Sequence, residues 1–455
     1  MQLLLRVFVC IVLLERVAPV NVAIRNTQKL GGNSKVDAHD GPIVRWSDDG
    51  PFYRYAMSYT RCQLDGDAGS VIRGLFRRSV NRFIEFAHKT GHDCGQITGL
   101  LPGMSDGFGE DCGFKSPSNG QTVKIYKSND LNSWEFVGDA FENGPKWLLD
   151  DSIIFRPAIV YNKETAKYVL WVNRLPRREG PVVNAYVEAG FAVGTSESAE
   201  GPFVFPDDEN EAMPKMVHAG GADFSLLQDE ESGEAYIAYG AWHNFKISSG
   251  WRSRHYPDWM KEGHQIAIQR LDPTSFTKPA SPEKAVTVTN ESQEAPSFFK
   301  RGQYYYLVHG NLCCFCERGS DAKVLVSKDP MGPFVNVGNL NVFGSKTHVK
   351  VQSSDVFEVK EHSSGTVTYI WSGDQWFSSK SRLKGEDYQY WHPLVFKSRR
   401  IEALGEDVPV PERLHGNAFL DCFEVDLDLG TNRAGSTCDA PAGNQAGEAG
   451  DKQEL

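Results

Sequence analysis

Three acidic side chains stand at matching places in a repeated pattern. Asp40 leads into Ile43-Val44-Arg45-Trp46, Asp223 into Phe224-Ser225-Leu226-Leu227, and Glu294, through Ala295-Pro296, into Ser297-Phe298-Phe299. A carboxylate at the mouth of a strand can face a shared cavity. There a protonated carboxyl can give up a proton while an ionised partner takes one, which is general acid–base chemistry. Taken singly, each of these residues reads more plainly as a turn-former or a solvated acid. Their equivalence in a repeat is what gives them weight.

The elements that must position them are hairpins. An apolar strand, a polar turn and an aromatic strand recur five times: Ile43 to Tyr55, Pro157 to Trp171, Phe224 to Tyr239, Ser297 to Val308 and Asp355 to Trp371. Pro296 cannot donate to a sheet ladder and suits the start of a strand, while Gly302 supplies a turn. Most hairpins are followed by a second pair of short strands, as in Val123-Lys124-Ile125-Tyr126 and Trp134-Glu135-Phe136-Val137. Five units of four strands predict an all-β five-bladed propeller, whose radial repetition leaves only short, protected edges. A pair of β-sandwiches is the alternative. In a propeller the inner strands start near the central axis, so Asp40, Asp223 and Glu294 would converge there. Three regions fall outside the repeat. Arg61 to Ser118 is a cysteine-containing, partly helical insertion after the first hairpin, with helical apolar spacing over Ser70 to Thr90. Asn244 to Gly263 is a long aromatic loop, and a Gly-, Ala- and Glu-rich tail over 431–455 reads as disordered.

The chain has 455 residues, 40% of them hydrophobic and 11% aromatic, with a formal net charge of −11. That is ample for a core. No basic stripe is present to release counterions, which argues against nucleic acid. Residues 1–23 read as a secretory signal peptide, with cleavage expected between Ala18 and Ala23. The propeller is expected over 36–430, with no membrane contact after removal of the leader. Eight cysteines then remain, an even number that favours disulfides. Cys422 and Cys438 are expected to pair, and the Cys313-Cys314-Phe315-Cys316 cluster to pair with Cys62, Cys94 and Cys112. The terminal Lys452-Gln453-Glu454-Leu455 resembles a retrieval address of the endoplasmic reticulum. The expected location is therefore secreted or within that lumen. Asn290-Glu291-Ser292 is a glycosylation sequon.

Several phrases together resemble glycoside hydrolase family 43, and within it the exo-β-1,3-galactanase branch. They are Ser128-Asn129-Asp130-Leu131-Asn132-Ser133-Trp134, Arg156-Pro157-Ala158-Ile159-Val160-Tyr161-Asn162, Glu294-Ala295-Pro296, Val351-Gln352-Ser353-Ser354 and Gly373-Asp374-Gln375-Trp376. The resemblance runs from about Val36 to Phe396. It implies inverting hydrolysis of an O-glycosidic bond, with two carboxyl groups about 6.5–9.5 Å apart to admit a water. It further implies Glu294 as general acid, Asp40 as general base and Asp223 as the carboxylate that raises the acid's pKa. In that branch a glutamine in a Gln-Ser motif stands in for the base; here both Asp40 and Gln352 are present. The chain departs from the branch at Phe155, where a glutamate is usual, at Ala222, where an arginine is usual, and at Asn311 to Cys316, which replaces a Gly-Trp-Ala-Pro-Asn loop.

The implied partner is an oligosaccharide or polysaccharide, of galactoside or arabinoside type. The substrate-binding set is Gln352, Arg156, Phe155, Trp242, Trp376 and His39, with Trp251 and Trp371 as further rings. No cofactor is expected; a structural calcium at His39 or His348, as some relatives hold, is the weaker reading beside buried, hydrogen-bonded histidines. The alternatives are a non-catalytic carbohydrate-binding propeller and a transglycosidase with a closer carboxyl pair.

Overall fold

The computed structural model describes residues 20–26, 36–59, 116–177, 188–218, 220–221, 223–242, 264–282, 284–289, 293–311, 320–343, 346–376, 378, 384–414, 422–427 and 438. Most of the insertion, the loop over 244–263, the sequon, the six cysteines between Cys62 and Cys316 and most of the tail lie outside them, as does Ala222.

Five antiparallel meanders follow one another along the chain. The first blade is Ile43–Arg45, Phe52–Ser58, Thr122–Ser128 and Glu135–Asp139. The second is Ser152–Asn162, Lys167–Pro176 and Gly190–Ser196. The third is Phe224–Gln228, Ala235–Trp242, His264–Arg270 and Ala285–Thr287. The fourth is Gln293–Arg301, Tyr304–Asn311, Lys323–Ser327 and Val335–Asn339. The fifth is Gln352–Lys360, Val367–Gln375 and Tyr388–Pro393.

The expected four strands per unit are therefore met in three blades and not in the second and fifth. In the second blade the outermost position shrinks to a single bridge, Thr195 with Val204, because Phe203 and Phe205 turn inward to fill the seam with the first blade. In the fifth, the chain leaves after Pro393 and forms a separate hairpin, Phe396–Ile401 with Glu406–Pro411, against the fourth blade.

The second strand of each blade explains the aromatic runs in the sequence. Successive side chains of a strand point to opposite faces. In the fourth blade Tyr304, Tyr306 and Val308 pack toward the fifth, while Tyr305 and Leu307 pack toward the third. In the second blade Val169 and Trp171 face the third, while Leu170 and Val172 face the first. A strand buried on both faces reads as a continuous apolar run. Five apolar clusters fill the five seams between neighbouring blades, and the ring closes.

At the closing seam lies a two-stranded ribbon of Val20–Arg25 and Cys422–Leu427. Val22, Ile24, Phe423, Val425 and Leu427 pack with Phe52 of the first blade and Trp391 of the fifth. Asn26 fastens it by donating to the Trp391 carbonyl and accepting from its N–H. The ribbon's first strand overlaps the expected leader. The expected Cys422–Cys438 disulfide is formed. Among the described residues no helix is long and apolar enough to cross a membrane.

Candidate active site

The innermost strands are not regular where they approach the axis. Bulges interrupt the ladders between Phe155 and Ala158, between Glu294 and Ser297, and between Ser353 and Asp355. Three non-glycine residues in these approaches have left-handed backbone: Asp40 with φ 50°, Arg156 with φ 42° and Ala295 with φ 56°. Such conformations cost about 1–3 kcal/mol each and persist only where the surroundings over-determine them. Bulges of this kind re-aim side chains. Here they accompany the polar residues that meet at the centre.

Arg156 of the second blade is the hub. Its side chain is 2% exposed; Nε lies 3.0 Å from Asp223 Oδ1, and Nη2 lies 3.6 Å from Asp40 Oδ1. Nη2 also donates to the Ser353 carbonyl at 2.6 Å. Burial works against its charge, but the carboxylates of Asp223, Asp40, Asp374 and Glu294 outweigh that and hold its pKa above the ordinary value.

Gln352 of the fifth blade makes the next link. Its Nε2 donates to Asp223 Oδ2 at 3.1 Å and to Glu294 Oε1 at 3.4 Å. Its Oε1 accepts from Trp376 Nε1 at 2.8 Å, which fixes which end of the amide faces the acids. Below it, Ser353 Oγ contacts Ser297 Oγ and accepts from Trp371 Nε1, both at 3.0 Å.

Asp40 is buried at 7% exposure. Tyr59 donates its hydroxyl to Asp40 Oδ2 at 3.3 Å. Burial, with the nearby charges of Asp40 and Asp374, raises the Tyr59 phenol well above its ordinary pKa, so it remains a donor.

The structure thus links Asp40, Asp223 and Glu294 through Arg156 and Gln352 into one polar cluster with contributions from all five blades. His39 and Trp376 belong to it too. The His39 ring lies 5.3 Å from that of Trp376, and its Nδ1 pairs with Asp374 Oδ1 at 2.9 Å. Burial would lower the His39 pKa, but the bond to Asp374 and the charges of Asp374, Asp37 and Asp387 raise it.

Trp376, at 6% exposure, and Trp371, at 0%, are packing and hydrogen-bonding residues, not open platforms. Phe155 is partly buried against the pair Ile153 and Leu175. Trp242 ends its strand opposite His264, and its side chain lies outside the described part, as does Trp251. His39, named above for a calcium site, has its Nδ1 engaged with Asp374, and among the described residues there is no group of three or more His, Cys, Asp or Glu placed to hold a metal ion. Reading the sequence missed Tyr59, Ser297 and Asp374 as site residues. Ser297 was seen only as a strand start, and Asp374 only within Gly373-Asp374-Gln375-Trp376.

Comparison with solved structures places this architecture among known folds. One neighbour is described as a family 43 β-1,3-galactosidase, at 18% identity and a TM-score of 0.56, covering 90% of this chain. This chain spans 64% of that protein's length. A second is an exo-β-1,3-galactanase from Clostridium thermocellum, at 19% identity and a TM-score of 0.55, covering 89% of this chain and 67% of its own. A third is an exo-β-1,3-galactanase from Phanerochaete chrysosporium solved with β-1,3-galactotriose, at 16% identity and a TM-score of 0.53, covering 89% and 69%. At these identities the likeness is one of fold. Comparison with curated protein sequences finds no relative. The sequence model of glycosyl hydrolases family 43, however, matches residues 110–392, a span that takes in Arg156, Asp223, Glu294, Gln352 and Asp374. The chain belongs to glycosyl hydrolases family 43.

Proposed function

We propose that this protein is an inverting glycosidase that hydrolyses an O-glycosidic bond with Glu294 as general acid, Asp40 as general base and Asp223 as the carboxylate that tunes the acid. The observation that carries the reading is the chain of contacts from Asp40 through Arg156 to Asp223, and from Asp223 through Gln352 to Glu294. It gathers carboxylates separated by more than half the sequence. In the proposed step Glu294 gives its proton to the leaving oxygen as the anomeric bond breaks. A water attacks from the opposite face, and Asp40 takes the water's proton. Exchange with solvent then reprotonates Glu294 and deprotonates Asp40. Gln352 holds Asp223 beside Glu294, and Arg156 lies between Asp40 and Asp223. A β-galactoside is the first substrate to try, because the fold neighbours are galactan-active and a glutamine of the Gln-Ser phrase lies among the acids.

The test is turnover of a panel of aryl glycosides, with the anomer of the first-formed sugar read by NMR. Expected are hydrolysis with inversion, and a fall in kcat of about 10²–10⁴-fold for Glu294→Gln and for Asp40→Asn. Wild-type protein that binds sugars but turns over none of the panel would favour a carbohydrate-binding propeller instead.

We place the protein in the secretory pathway as part of the same proposal. The Cys422–Cys438 disulfide supports it, since such bonds persist in oxidising compartments. Recovery of the expressed chain from the cytosol, with both thiols free, would overturn that placement.

A further inference from the structure

We propose that Asp374, on the fifth blade, is the positioning residue that holds Asp40 of the first blade in its working conformation. The inference rests on the reading of Asp40 as the base. Asp374 has 0% exposure, and both its oxygens are occupied. Oδ2 accepts the backbone N–H of Asp40 at 2.9 Å. Oδ1 pairs with His39 Nδ1 at 2.9 Å and accepts from Gln389 Nε2 at 3.2 Å. Burial would favour the neutral acid, but His39, Arg54 and the Asp40 N–H hold the carboxyl below its ordinary pKa, so it stays an acceptor on both sides.

What it holds is a conformation the chain would not choose. Asp40 has left-handed backbone, and the next residue leaves no room to relax it. A Cβ on Gly41 would lie 1.7 Å from the Tyr55 carbonyl oxygen. The flanks are gripped as well. Asp37 accepts from the Ser58 hydroxyl and the Tyr59 N–H. The Ala38 carbonyl accepts from Arg54 and Gln389. His39 exchanges backbone bonds with Met57. Asp374 reaches the His39 ring and the Asp40 amide together.

Its register gives it a second consequence. Asp374 lies directly opposite Gln352 in the fifth-blade ladder. Paired residues of an antiparallel sheet share a face, and Trp376, two positions on, bonds Gln352 and lies tilted against the His39 ring. One strand pair therefore holds the amide that joins Asp223 to Glu294 and the carboxylate that fixes Asp40. The spacing between the acid side and the base side is set by that pair.

The test compares Asp374→Ala, Asp374→Asn and Asn26→Ala, the last weakening the same blade seam away from the site. With an aryl glycoside, Asp374→Ala is expected to lose at least 100-fold in kcat with KM within about threefold. Asp374→Asn, which keeps one acceptor for the Asp40 amide, should recover at least tenfold of that loss. Asn26→Ala should lower Tm without this fall in kcat. In a crystal structure of Asp374→Ala, residue 40 should have left its left-handed conformation. Retained kcat, a loss that merely follows Tm as in Asn26→Ala, or an unchanged φ at residue 40 would each overturn the inference. If Asp40→Asn proves fully active, the base assignment fails by itself, and the conformation of residue 40 in Asp374→Ala still decides the clamp.

Discussion

Arg156 is a buried cation with carboxylates on two sides and a carbonyl on a third. Removing one partner from such a group leaves uncompensated buried charge, which costs about 3–5 kcal/mol. Arg156→Met is therefore expected to lose stability on that scale, read as a lowered urea midpoint. Arg156→Lys keeps a charge, but one ammonium cannot span three partners that approach a planar fork from different directions. It should fold and still lose about 100-fold in kcat. A methionine variant with an unchanged midpoint would show that the pairs contribute nothing. The residue itself stood out in the sequence because it opens the family-like phrase Arg156-Pro157-Ala158-Ile159-Val160-Tyr161-Asn162. Its burial did not, because the carbonyl that seats it belongs to Ser353, 197 residues further on.

At the scale of strands, the repeat was legible because each second strand is apolar on both faces, a signal that survives without any alignment. The positions of Asp40, Asp223 and Glu294 followed from it. The bulges did not follow. Residues before proline ordinarily take extended backbone, yet Arg156 and Ala295 are left-handed, and only the crowded axis accounts for that. Asp374 was illegible for a related reason: its partners, His39 and Asp40, are brought to it by ring closure. Asp355 belongs to the same seam. Its Oδ2 accepts from the Ile43 N–H of the first blade at 3.3 Å. Burial raises its pKa to about 7, against the lowering effects of the Ile43 and Val356 N–H groups, Arg156 and Arg54. A carboxyl raised in the folded state contributes stability that is fully present below its unfolded pKa and is lost as pH rises through the folded value. The wild type should therefore lose stability relative to Asp355→Asn from about pH 4 to about pH 7, then level off. Allowing for partial exposure, the difference is on the order of 1–2 kcal/mol. Urea midpoints of the two proteins at pH 5 and pH 8 measure it; a constant difference across that range would show that Asp355 does not titrate there.

The closing seam of the ring includes chain that lies outside the blades. A propeller gains its last seam only when the first and fifth blades meet, and here the meeting surface is extended by the ribbon of Val20–Arg25 and Cys422–Leu427. Val22 and Ile24 are 3% and 1% exposed. At about 1.5–3 kcal/mol for each fully buried aliphatic side chain, their loss costs about 3–6 kcal/mol as an upper estimate. The disulfide adds to this by tying Cys422, at the start of the ribbon's second strand, to Cys438. The ribbon also bears on processing, because a cut at Ala23 would remove four of the six residues paired with Cys422–Leu427, whereas a cut at Ala18 would spare them all. Under the proposed secretory placement, N-terminal sequencing of the secreted protein should therefore find a first residue no later than Val20. A chain begun at Val36 should unfold at lower urea concentration, and the same chain with the ribbon restored should recover. If the protein begun at Val36 matches the longer one in midpoint and in kcat, the ribbon is dispensable and the ring closes on its blades alone.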